Sequence, residues 1–92
     1  MRDDSMLELD EKIKIFGHRF RDRLNNELLQ DAINYVDYDE RGLAFETICD
    51  HLSEYNVPIT QEEYRLAIEI CNALEMDNDD ISLRHLKELI IP

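Results

Sequence analysis

The sequence predicts an all-α fold: a single small bundle of four to five helices over residues 1–92. Three observations predict it. Apolar residues recur in steps of three and four, the spacing that lines one face of a helix. Only two glycines and two prolines occur, too few for the many tight turns of an all-β fold. With 92 residues, 43% hydrophobic and 35% charged, the chain has the size and balance of one folded domain with a modest core.

The elements follow in order. Met6, Leu9, Ile13, Phe16, Phe20 and Leu24 form one stripe of a first helix, with Lys12, Arg19 and Arg23 on other faces. Gly17 inside it lowers helix propensity by about 1 kcal/mol relative to Ala, which points to a bend or to close packing. Asn25 or Asn26 caps a second helix, whose Leu28, Leu29, Ala32, Ile33 and Val36 face inward. The acidic turn Asp37-Tyr38-Asp39-Glu40 separates it from a third helix, buried through Phe45, Ile48, Cys49 and Leu52. Pro58 forces the next break. Thr60 and Glu63 then fit a capping box, and Ile59 and Tyr64 have the spacing of a hydrophobic staple. Ile68, Cys71 and Leu74 continue that fourth stripe. After an acidic loop, Leu83, Leu86, Leu89 and Ile90 form a short last helix capped by Asp79, Asp80 or Ser82.

Charge is the most informative feature for function. The net charge is −12, and residues 25–64 carry ten acids against one base, Arg41. Residues 1–24 hold six acids and six Lys or Arg, so they sum to zero. Like charges on one small surface repel, which destabilises the fold. A cationic partner accounts for such a field. Solubility accounts for it equally well on composition alone.

Several classes are excluded or disfavoured. No apolar run approaches the roughly 18 residues of a membrane span, and the charged first twenty residues do not read as a signal peptide, so a cytoplasmic location is expected. Cys49 and Cys71 lack metal-ligand spacing and fall on apolar helix faces, as buried reduced thiols do. His18, His51 and His85 form no catalytic or metal motif, and His51 is expected to be exposed or capping. Asp77, Asp79 and Glu88 imitate calcium-loop positions 1, 3 and 12, but Ile81 and Ser82 stand where a ligand and a glycine are needed. No glycine-rich phosphate loop is possible. Neither cofactor nor metal nor enzymatic activity is therefore expected. Direct nucleic-acid binding would need a basic footprint, and Arg19, Arg21 and Arg23 are expected to pair with local carboxylates instead.

The central acids do have the spacing of a surface. Glu46, Asp50 and Glu54 step by four along the third helix and align on one face, each like-charge pair costing about 0.2–0.5 kcal/mol. Asp31, Tyr35 and Tyr38 lie away from the apolar stripe of the second helix, and Asp39 and Glu40 follow in the turn. Tyrosines among carboxylates suit a protein interface, because the ring supplies rigid area and the hydroxyl a hydrogen bond. The competing reading makes Tyr35 and Tyr55 partly core and leaves the acids merely solvated.

The string Leu28-Leu29-Gln30-Asp31-Ala32, Tyr35, Glu40, Gly42-Leu43-Ala44-Phe45-Glu46, Cys49-Asp50, Glu54, Pro58-Ile59 and Glu63 resembles the MafI family of bacterial immunity proteins. The resemblance covers about residues 24–76. It implies a small cytoplasmic protein made beside a secreted polymorphic toxin, whose C-terminal domain it binds and neutralises. Toxins paired with this family resemble nucleases, EndoU-type ribonucleases among them. Glu40, Glu46, Asp50 and Glu54 match the family's recurrent positions. The expected partner is thus a cationic nuclease domain, whose cleft the acidic face either fills or blocks from an adjacent site. The alternative is an acidic nucleic-acid mimic or adaptor that binds a host nucleic-acid-binding protein.

Overall fold

A computed structural model describes residues 4–76 and 81–91. It contains five helices: α1 (Asp4–His18), α2 (Asn26–Asp37), α3 (Arg41–Glu54), α4 (Gln61–Ala73) and α5 (Ile81–Glu88). α2 and α3 form a helical hairpin across a three-residue connection, α1 packs on α2, α3 and α4, and α5 lies against α3 and α4. One hydrophobic core runs through all five. Its aromatic centre is Phe16, edge-on to Phe20 at 5.1 Å between ring centroids and 5.7 Å from Phe45. Such ring pairs are worth about 0.5–1.5 kcal/mol beyond their area burial.

The expected stripes hold with corrections in α1, α2, α4 and α5; the last helix ends at Glu88, so Leu89 and Ile90 follow it, half-buried. α1 stops at His18, so Phe20 and Leu24 do not continue a helical stripe. Both are nonetheless buried, carried by successive turns through residues 19–24. In α4 the buried apolar residues are Ala67, Ile70 and Cys71, while Ile68 is half-buried. The stripe there starts from the buried Glu63, which rotates it away from position 68. Leu28, expected inward on α2, is also only half-buried. The side chain of Met6 and the capping roles of Asp79, Asp80 and Ser82 lie outside the described residues.

The helix starts are as the sequence indicates. Asn25 Oδ1 accepts hydrogen bonds from the Glu27 and Leu28 N–H groups at 2.8 and 3.2 Å. Thr60 Oγ1 accepts from Glu63 N–H at 3.1 Å while Glu63 Oε1 accepts from Thr60 N–H at 2.9 Å, a complete capping box. Gly17 meets the second expectation made for it, close packing. A Cβ there would stand 3.1 Å from the Ile33 side chain and 3.2 Å from Ile48, so α1 crosses the hairpin at contact distance.

The helix ends explain how a chain with two glycines makes its turns. Asp39, Asn56 and Glu75 adopt φ of 60°, 50° and 60°, the left-handed conformation that closes a helix. After each, the next residue's N–H reaches back five positions: Glu40 to the Tyr35 carbonyl at 3.0 Å, Val57 to Leu52 at 2.9 Å, and Met76 to Cys71 at 3.0 Å. The same Schellman motif therefore ends α2, α3 and α4. The final β-like contact joins Ile59 to the segment after α5. Ile59 N–H donates to the Leu89 carbonyl and Ile91 N–H to the Ile59 carbonyl, at 3.0 and 2.9 Å.

Candidate functional site

Two buried acids organise the charge of the molecule, and neither belongs to the acidic surface. Glu63 is 2% exposed. Arg23 Nη2 donates to its Oε2 at 2.6 Å, Arg23 Nη1 to its Oε1 at 2.9 Å, and Arg19 Nε to its Oε2 at 3.0 Å. Burial alone would raise the pKa of Glu63. The hydrogen bonds from Arg23, Thr60 and Arg19 outweigh it and hold the carboxyl at about 2. The expectation of local partners for these arginines is thereby corrected: Arg19 and Arg23 reach across to α4. Asp10 is likewise buried and is paired with Arg41 at the start of α3.

That second pair matters for the hairpin. Arg41 is the single base of residues 25–64, and its guanidinium is turned onto Asp10 of α1 and onto Asp39. The hydrogen bond with Asp10 is the main reason its pKa is raised. The hairpin's one cation is thus directed toward α1 rather than along the outward acidic row.

Around the turn, Tyr35, Tyr38, Asp39 and Glu40 come together. The Tyr35 carbonyl accepts from the N–H groups of Tyr38 and Glu40, at 3.2 and 3.0 Å. Tyr38 is 76% exposed and Tyr35 38%, and Tyr55 at the far end of α3 is 56% exposed. All three present surface to solvent, so Tyr35 and Tyr55 are not core residues. Glu40 occupies the N-cap position of α3 but its side chain makes no cap hydrogen bond. It is exposed, as are Asp31, Asp39, Asp50 and Glu54, while Glu46 is half-buried.

Asp31, Tyr35 and Tyr38 share one outward row of α2; Glu46, Asp50 and Glu54 share one of α3, opposite Phe45, Ile48 and Leu52. Asp31 and Glu46 lie eight and seven residues from Asp39, so both stand about 10–12 Å down the hairpin from its turn. Glu54 is about 22 Å from the turn along α3, too far to join the tyrosines in one compact contact. Among the described residues no ion pair reaches Glu27, Asp31, Glu40, Glu46 or Glu54. Asp37 and Glu62, by contrast, pair with Lys14 and Arg19.

Leu43 is the residue that sequence reasoning missed on this face. It is 44% exposed on the α3 row between Glu40 and Glu46. Its signal was available: position 43 falls on the same side as Asp50 and Glu54, away from the buried stripe. His51 also departs from expectation. It sits beside Leu52 at the edge of the buried stripe, half-buried, and its Nδ1, like Ser53 Oγ, is enclosed with no hydrogen-bond partner among the described residues. Cys49 and Cys71 are buried reduced thiols, and Cys71 Sγ donates to the Met76 carbonyl at 3.7 Å. Among the described residues no group of three or more His, Cys, Asp or Glu is placed to hold a metal ion, and no helix is long and apolar enough to cross a membrane.

No protein-family model, no curated protein and no solved structure matches this chain.

Proposed function

We propose that this chain is a cytoplasmic immunity protein that binds and neutralises the C-terminal nuclease domain of a cognate secreted toxin. One observation carries the reading. On the α2–α3 hairpin, Asp31, Glu40, Glu46 and Glu54 meet no ion-pair partner among the described residues, while the hairpin's only base, Arg41, is turned to Asp10 and Asp39. The resemblance of residues 24–76 to MafI immunity proteins supports the same reading and suggests a ribonuclease of the EndoU type as the target.

The mechanism follows from charge. A nuclease presents a cationic cleft to phosphates, and a rigid acidic surface competes for that cleft or for the rim beside it. Complementary fields raise association rates toward about 10⁸–10⁹ M⁻¹s⁻¹ at low salt. Affinity resides in the part of the contact that loses water, assigned here to Tyr35, Tyr38 and Leu43 with Asp31 and Glu46. Asp39, Glu40, Asp50 and Glu54 form the polar rim.

Protection is the test. Cells that produce this chain should survive expression of the toxin domain encoded beside its gene, and the two purified proteins should elute from gel filtration as one complex. Cell death together with separate elution rejects the reading. Capture of a chromosomal DNA-binding protein, with no toxin gene adjacent, would favour the nucleic-acid mimic instead.

A further inference from the structure

The outward face of α1 is charge-balanced: among its described residues, Glu8 and Glu11 are offset by Lys12 and Lys14. Residues 1–24 carry no net charge, whereas the remainder carries all of the −12. Two copies of so acidic a molecule repel each other least where they approach through α1. The outward side of this helix also exposes apolar surface: Leu7 is 47% and Ile15 52% exposed, opposite the buried Ile13 and Phe16. Shallow clefts of 350 and 280 Å³ run along it, lined by Leu7, Glu8, Glu11, Lys14, Ile15 and His18 among others. The charges on either side of Glu11 are ordered, with Glu8 toward the N-terminus and Lys12 and Lys14 toward the C-terminus. A two-fold axis lays two such helices antiparallel and sets the acidic half of each against the basic half of the other.

We propose that α1 is a self-association face whose occupant is α1 of a second copy of this chain, antiparallel about an axis at Glu11. Leu7 and Ile15 lie eight residues apart, about 12 Å, and symmetrically about Glu11. An axis there seats Leu7 of each copy on Ile15 of the other and places Glu8 opposite Lys14. Lys14 already meets Asp37 at 3.0 Å and keeps two further N–H donors. The same axis brings the two Glu11 carboxylates together, a like-charge contact that weakens the dimer. Removal of Leu7 and Ile15 from water sets the register, because exposed ion pairs contribute little. One helix face per copy covers less than the roughly 1,600 Å² of a standard interface, so the dimer is weak. None of the residues proposed for toxin binding belongs to this patch.

Sedimentation equilibrium of the full chain, from about 10 μM to about 1 mM, tests the proposal. The mass should rise from 11.0 kDa toward twice that value. Ile15→Asp should hold it at the monomer mass with helical circular dichroism unchanged, since the side chain is exposed. Glu11→Gln should move the midpoint to an at least threefold lower concentration. A monomer throughout, or a dimer that survives Ile15→Asp, overturns the self-association face. Association unchanged or weakened by Glu11→Gln overturns the axis at Glu11.

Discussion

At the scale of single residues, Glu63 does two jobs with one carboxylate. It completes the capping box of α4 and it receives Arg19 and Arg23 from the turns after α1. Its ordinary pKa of 4.5 falls to about 2 in the fold. A depressed carboxylate stabilises the folded state in full above its unfolded value, and that contribution is lost as pH falls through 4.5 toward 2. The shift corresponds to roughly 3 kcal/mol at neutral pH. Glu63→Gln should therefore lower the urea midpoint markedly at pH 7, and the two proteins should converge as the pH is taken down through that window. A gap that stays constant with pH would mean that Glu63 acts through shape rather than charge. The capping half of this site was legible, because Thr60 and Glu63 stand three residues apart in a known pattern. The arginine half was not: Arg23 and Glu63 are forty residues apart, and no local spacing encodes which distant carboxylate a side chain will meet.

At the scale of elements, the helices were legible and their ends were only partly so. Periodic burial announces a helix whatever its neighbours do, which is why α3 matches its stripe and α2 matches all of its own but Leu28. Phe20 and Leu24 kept the helical spacing although their segment is a run of turns, since burial of an apolar side chain does not require a helix beneath it. The C-terminal ends were hidden for a different reason. The left-handed closing position favours glycine, and here Asp39, Asn56 and Glu75 fill it instead. Asp and Asn tolerate that conformation through local hydrogen bonding, but Glu has no such compensation. Glu75→Gly should stabilise the protein by about 0.5–1 kcal/mol, the relief of the left-handed strain exceeding the entropy glycine loses on folding. Thermal unfolding checks it, with Glu75→Ala as a control that should show no such gain.

At the scale of the whole molecule, the question is whether the acidic hairpin is a solvated surface or a binding face. The two readings agree about stability and disagree about function. Either way, Glu46 and Glu54 are like charges on a chain of net −12, with no cation of the described residues in ion-pair reach. Replacing both with Lys lowers the self-repulsion and adds favourable spacing with Asp50, so Glu46→Lys with Glu54→Lys should raise stability by about 0.5–1 kcal/mol. Added salt should shrink that gain, because exposed charges are screened over about 10 Å at 0.1 M ionic strength whereas the enclosed Arg23–Glu63 and Arg41–Asp10 pairs are screened less. Under the proposed immunity function, acids that serve only solubility leave the more stable variant as protective as the parent. If they steer a cationic nuclease, protection falls while stability rises, and the loss lies in the association rate and its salt dependence rather than in the dissociation rate. A protein that is improved as a fold by losing its acids, and spoiled as an inhibitor by the same change, keeps them for a partner.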